Sequence, residues 1–211
     1  METKVWLRMS RGLMAALALG MAVPAQAQDA PSAQAGGSEA LVIFDFEETA
    51  QEWGIPDWAK TSADYVGQQF ELSKEVASHG EGSAEMTAEF PGGAWTGAYA
   101  EVEMHVTDWS QFSALAVDVY VPETAPAGLQ ARLILTVGEH WVWTEMNRGL
   151  PLVPGQWTTI TANLKPGSMD WKFFPEESFR QDIRKVGLRV ESDKAPVYSG
   201  AVFFDNVRLV K

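Results

Sequence analysis

The sequence predicts an all-β domain, a two-sheet antiparallel β-sandwich of the jelly-roll kind. Three observations predict it. Short segments alternate apolar and polar residues with a period of two, turn residues break them at short intervals, and no long helical pattern lies between them. The expected strands are 41–47, 96–106, 115–121, 129–137, 141–147, 158–164, 186–191 and 202–209. The breaks are Pro91-Gly92-Gly93, the stretch 122–128, Pro154-Gly155 and Pro166-Gly167-Ser168. Only 176–185 has helical character, and the chain shows no internal repeat.

The first 27 residues read as a secretory signal. Lys4, Arg8 and Arg11 precede an apolar run over 12–23, and Ala25-Gln26-Ala27 is a small-x-small cleavage signal. The apolar run is short for a membrane span, and the absence of cysteine excludes a lipidated N-terminus and disulfides. The expectation is an exported chain, periplasmic or secreted, with no membrane anchor. Residues 28–39 have the composition of a flexible linker, which leaves 40–211 as one domain of ordinary size. Removal of 1–27 takes away Lys4, Arg8, Arg11 and Glu2. That leaves 13 basic against 27 acidic residues, a charge near −14. So acidic a chain is unsuited to nucleic acid, whose phosphates require clustered Lys and Arg, and equally to anionic membranes or polyuronates. A neutral ligand fits best.

The strand faces carry the functional signal. In 96–106, Ala98, Ala100, Val102, Met104 and Val106 form an apolar face; Tyr99, Glu101, Glu103 and His105 form the other, continuing from Trp95. In 141–147, Trp141, Trp143, Glu145 and Asn147 share a face opposite Val142, Thr144 and Met146. Val186, Leu188 and Val190 point away from Arg189 and Glu191. Tryptophan beside Glu, Asn and Arg suits a sugar: flat aromatic surface for the C–H-rich ring faces, planar polar groups for hydroxyl pairs. Trp58, Trp95 and Trp141 stand in or beside loop-like stretches, where bulky aromatics are often functional. Trp109 and Trp157 read as plugs at the ends of the sandwich, and Trp53 fits either role.

Catalytic signals are weak. Glu101 and Glu103 point to one side of a strand, but carboxylates at i and i+2 on a solvated strand are common, and glycosidase pairs flank the scissile bond. His79, His105 and His140 have no metal-ligand spacing, and neither a Ser-His-Asp arrangement nor a phosphate loop is present.

One oddity sits at both ends of the domain. Phe204-Asp205-Asn206-Val207-Arg208 lies in a strand apolar on both faces, and Phe44-Asp45-Phe46-Glu47-Glu48 mirrors it near the start. A buried strand should not carry a bare carboxylate. Asp45, Glu47 and Asp205 are therefore candidate ligands of a cation tying the termini together, and oxygen-only ligation points to Ca2+.

Taken in order, 117–122, 128–133, Trp141, Asn147 and 198–209 resemble the mannan-binding modules of carbohydrate-binding module family 27, with wider similarity to calcium-containing galactose-binding-like modules. The similarity covers most of the domain, although the ending Phe204 to Leu209 also occurs in neighbouring jelly-roll families. The resemblance implies three exposed tryptophans stacking β-1,4-linked mannose units, matched by Trp58, Trp95 and Trp141, and one structural calcium, matched by Asp45 and Asp205 with Glu47 as a third ligand. It also implies an arginine close after the second tryptophan, where this chain has Tyr99 and Glu101. The resulting expectation is a monomeric, non-catalytic module binding a neutral β-linked polysaccharide, mannan or glucomannan first, beside separate glycoside hydrolases. Its site would comprise Trp58, Trp95, Tyr99, Glu101, Trp141, Trp143, Glu145, Asn147 and Arg189. The alternatives are an exported adaptor for a protein partner and, below that, a small jelly-roll glycosidase.

Overall fold

The computed structural model describes residues 39–173, 176–194 and 196–211. The expected signal peptide and residues 28–38 of the linker lie outside them. In chain order the elements are β1 (Ala40–Phe44), α1 (Asp57–Thr61), β2 (Gly67–Ser73), β3 (Ser83–Phe90), β4 (Trp95–Glu103), β5 (Ala114–Tyr120), β6 (Leu129–Val137), β7 (Val142–Glu145), β8 (Leu150–Pro151), β9 (Trp157–Asn163), α2 (Glu177–Gln181), β10 (Ile183–Asp193) and β11 (Tyr198–Val210).

The strands form two antiparallel sheets, as the alternation predicts. The first has the order β2-β3-β11-β5-β9, with β1 also paired to β11. The second has the order β4-β10-β6-β7, with β8 also paired to β6. Their inward faces make one core. Met86, Val117, Val119, Ile160, Val202 and Phe204 of the first sheet belong to the same buried cluster as Ala98, Ala100, Leu133, Leu135, Val186 and Leu188 of the second. Truncating one such leucine, Leu133→Ala for example, costs about 2–5 kcal/mol in cores of this kind. No helix among the described residues is long and apolar enough to cross a membrane.

The structure departs from the expected elements in several places. Strands β2 and β3 have no counterpart among the expected strands, and neither does α1. Strand β4 ends at Glu103, and Val106, expected on the core face, is exposed. Strand β1 ends at Phe44 because the chain turns at Phe46, whose φ is 51°. The stretch 176–185 divides into the short α2 and the start of β10. Trp109 is the buried plug expected, its Nε1–H donating to the Val106 carbonyl at 3.0 Å. Trp157 is not a plug: it is half-buried at the start of β9 with its ring 5.4 Å from that of Tyr120. Trp53 is buried against Phe44, Phe46 and Phe204, and so belongs to the packing.

Candidate functional site

Alternation places one set of side chains of the second sheet on its outward face. From β4 come Trp95, Gly97, Tyr99 and Glu101; from β10, Lys185, Gly187, Arg189 and Glu191; from β6, Arg132 and Ile134; from β7, Trp143 and Glu145. Register aligns them across the strands. Tyr99, Arg189 and Arg132 form one row, and Glu101, Gly187, Ile134 and Glu145 the next. The segment between β1 and β2 joins this sheet at the open edge of β4, bridging Gly54 to Glu101 and Tyr65 to Gly97. Its middle carries α1, and with it Trp58.

Five aromatic rings gather here. Trp58 lies 4.8 Å from Tyr65, 5.4 Å from Tyr99 and 5.9 Å from Trp143, measured between ring centroids. Tyr65 continues the cluster to Trp95 at 6.0 Å, and Tyr99 lies 5.3 Å from Trp143. Tyr99 is only 1% exposed although it faces outward, because the other rings cover it. Gly187 makes the arrangement possible: a Cβ there would collide with the Tyr99 ring and its hydroxyl. Burial, and after it the neighbouring Glu101 carboxylate, pushes the Tyr99 phenol far above its ordinary pKa. It remains a donor and gives a 2.8 Å hydrogen bond to Glu101 Oε2. Lys185 holds the other oxygen of Glu101 at 2.7 Å.

Beside the rings lies a buried ion network. Arg189 donates to Glu145 Oε2 at 2.8 Å and to Glu191 Oε2 at 3.0 Å. Arg132 holds Glu191 Oε1 through Nε at 3.0 Å and through its second terminal nitrogen, and donates to the Met146 carbonyl at 2.9 Å. Lys172 closes on Glu145 Oε1 from a loop. Burial alone would raise the Glu145 carboxyl. The hydrogen bond from Lys172 and the charge of Arg189 overcome it and hold the carboxyl below its ordinary range. Burial likewise opposes charge on Arg189, but Glu145 and Glu191 raise its pKa. Arg189 also lies 5.2 Å from the Trp95 ring centroid, so one face of that indole carries a cation. Four carboxylates (Glu101, Glu103, Glu145, Glu191) meet four cations (Arg132, Lys172, Lys185, Arg189) here, so the face is charge-compensated on a strongly acidic chain.

The structure therefore brings together Trp58, Trp95, Tyr99, Glu101, Trp143, Glu145 and Arg189. Trp141 stands apart from the rings, half-exposed in the β6–β7 turn at φ 53°, with the Lys185 ammonium 5.8 Å from its ring centroid. Asn147 also lies off the aromatic cluster, and its amide donates to the carbonyls of Met169 at 2.7 Å and Trp171 at 2.9 Å. Residues missing from the expected set are Tyr65, Arg132, Lys172, Lys185 and Glu191. Lys185 and Glu191 share the alternation phase of Arg189, and that signal could have found them; Tyr65 and Lys172 sit outside the strands, where no periodicity points to them.

Asp45, Glu47 and Asp205 line one cavity of about 290 Å3 with Val42, His79, Gly80 and Asn206. Asp205 is fully buried and takes part in no ion pair among the described residues. It accepts backbone N–H groups of Ser78 at 2.9 Å and His79 at 3.0 Å through Oδ2, and of Asn206 at 2.5 Å through Oδ1. Burial raises its pKa, and these donors offset only part of that. Glu47 accepts N–H groups of Glu81 and Gly82, and Asp45 accepts from the Gln51 amide at 3.1 Å. Carboxylate oxygens around one cavity, with a buried anion lacking a cationic partner, fit calcium in donor chemistry. Among the described residues no three acidic or imidazole side chains form a ready-made metal cluster.

No family model matches the chain, and no curated protein matches it. Solved structures do. A carbohydrate-binding module of the β-sandwich superfamily, described for promiscuous specificity, aligns with a TM-score of 0.55 at 16% identity over 84% of this chain and 64% of its own. A CBM28 module specific for non-crystalline cellulose gives 0.58 at 15% identity over 83% and 96%. The Caldicellulosiruptor saccharolyticus CBM27-1 module in complex with mannohexaose gives 0.55 at 16% identity over 82% and 97%. At these identities the likeness is one of fold: this chain has the β-sandwich of carbohydrate-binding modules.

Proposed function

We propose that the chain is a non-catalytic carbohydrate-binding module that takes a neutral β-linked polysaccharide, mannan or glucomannan first, on the outward face of its second sheet. The observation that carries this reading is the pairing of a five-ring aromatic cluster with a charge-compensated polar floor on one face. Rings offer apolar contact to sugar faces, at about 0.5–1.5 kcal/mol per aromatic contact. The paired carboxylates and guanidinium groups, buried beside the rings, hold them in place and balance one another's charge, so the face does not attract a charged ligand. A few such contacts, less the entropy of binding, give affinities around the micromolar range. The carboxyls argue against catalysis. Glu145 is held below its ordinary range, the opposite of what a general acid needs, and Glu101 is bound by Tyr99 and Lys185.

Export, a monomeric state and action beside separate glycoside hydrolases belong to the same proposal, and so does a structural calcium held by Asp205 with Asp45 and Glu47. Affinity electrophoresis of residues 28–211 in gels containing glucomannan, galactomannan, xylan, β-glucan or no polymer tests it. Retardation selective for the mannans is expected; equal mobility in every gel refutes the sugar-binding reading.

A further inference from the structure

Trp53 is 4% exposed and packs against Phe44, Phe46 and Phe204, yet its Nε1–H has no hydrogen-bond partner among the described residues. A buried donor left unpaired is costly, and buried indole N–H groups usually find a partner. Trp53 lines a cavity of about 580 Å3 between β1, the connection into α1 and the end of β4. That volume is in the range of small-molecule sites, about 300–1,000 Å3. Ile43, Phe44 and Val102 give the cavity an apolar wall, and Glu52, Glu103 and His105 a polar one.

The lining of this cavity leads to the aromatic face. A smaller hollow of about 240 Å3 shares Glu52, Val102 and Glu103 with it and adds Pro56, Glu101 and Lys185. Glu101 accepts the Tyr99 hydroxyl on one oxygen and the Lys185 ammonium on the other, so the hollow begins at the floor of the ring cluster. Pro56 stands two residues before Trp58. Between Tyr99 and Glu103, β4 covers about 13 Å of extended strand. The open edge of β4 thus carries a groove from the rings to the Trp53 cavity.

The chemistry of that groove selects its occupant. An indole N–H is a donor only, so a cation cannot pair with it. Glu52, Glu101 and Glu103 line the hollow with one ammonium, that of Lys185, so an anion is repelled. What remains is a neutral group that accepts from the indole and donates to a carboxylate oxygen, and a hydroxyl does both. The apolar wall favours C–H surface beside the hydroxyls, which is the composition of a sugar ring. We propose that the Trp53 cavity is an end subsite for the polysaccharide on the aromatic face, a sugar hydroxyl accepting the Trp53 Nε1–H. The inference rests on the sugar-binding reading above and lengthens its footprint along β4.

Titration calorimetry with β-1,4-linked mannotriose, one unit for each exposed ring, and mannohexaose reads the extra contact. The wild-type chain should bind the hexaose about 10-fold more tightly. Trp53→Phe, which keeps a ring and deletes the N–H, and Thr49→Trp, which fills the cavity from an exposed position, should remove that margin and leave triose binding unchanged. Equal wild-type affinity for the two sugars, or a margin that survives either substitution, overturns the proposal. Free methyl β-mannoside separates failure of the cavity from failure of the face. With the indole nitrogens labelled for NMR, a shift of the Trp53 N–H on adding it supports the cavity even where neither oligosaccharide binds, and then only the aromatic-face reading falls. No shift of that resonance at high millimolar mannoside overturns the subsite.

Discussion

Arg189→Ala tests whether the polar floor holds the site together. The guanidinium makes charge-assisted hydrogen bonds to Glu145 and Glu191 and covers one face of Trp95, and all three ionic side chains are more than nine-tenths buried. A hydrogen bond to a charged group contributes about 1.5–3 kcal/mol. Losing two would cost about 3–6 kcal/mol if both carboxylates were left bare, which is the usual penalty for breaking a buried pair. They are not left bare: Glu191 keeps Arg132, and Glu145 keeps Lys172. The expected loss is therefore about 2–4 kcal/mol, or a melting temperature lower by about 5–15 °C for a domain of this size. Trp141→Ala is the control, since that side chain is half-exposed with its ring beside Arg184 and Lys185, and its removal should cost under about 1 kcal/mol. Calorimetry gives the stability and affinity electrophoresis the binding: Arg189→Ala loses both, Trp141→Ala neither. A wild-type melting temperature for Arg189→Ala would show that the network contributes nothing, and the account of the floor would be wrong.

Three further outcomes follow from the same geometry. Gly187→Val drives a side chain into Tyr99 and should abolish polysaccharide retention with a smaller stability loss than a core truncation, read by gel retardation and urea midpoint. Glu145 titrates below its ordinary value of 4.5 in the folded state, so its stabilising contribution is complete above that value and is lost as pH falls through the lower folded value. Acid melts should accordingly show Glu145→Gln flattening the stability slope below about pH 4.5, and an unchanged slope removes the network from the explanation. Chelator should lower the melting temperature and added calcium restore it, Asp205→Asn abolishing the response; a melt indifferent to both discards the calcium proposal.

What the sequence discloses and what it hides follow from the physics of each element. The two sheets are legible because alternation in 96–106, 129–137 and 186–191 is a direct consequence of strand geometry. Strands β2 and β3 escape that reading because Gly67-Gln68-Gln69-Phe70-Glu71 and Ser83-Ala84-Glu85-Met86 carry small or polar residues where a clean pattern needs bulky apolar ones. Alternation also assigns Tyr99, Glu101, Glu145 and Arg189 to outward faces, but it works on one strand at a time. Which strands become neighbours is set by register across the sheet, so the contact of Arg189 with Glu145, on strands two apart, has no local signature. The same limit explains Trp141. It shares a phase with Trp143 in the sequence, yet β7 begins only at Val142, and the positive φ at Trp141 turns it out of the strand and away from the rings.

Burial is the second thing the sequence hides, and it changes how the site must work. A tyrosine on an outward face reads as a ligand contact, whereas Tyr99 is covered by Trp58, Tyr65 and Trp143 and supports them from beneath. The surface offered to a ligand is therefore Trp58 and the exposed parts of Trp95 and Trp143, held in place by Tyr99, Gly187 and the ion network. That division separates two classes of substitution. Changes to the supporting layer should lower affinity by misplacing rings and should lower stability in step. Changes to Trp58, 43% exposed, should lower affinity alone. A plot of affinity loss against stability loss for Trp58, Trp143, Tyr99, Gly187 and Arg189 variants should fall on two lines, and a single line through all five would mean that the rings and their support do not act as separate layers.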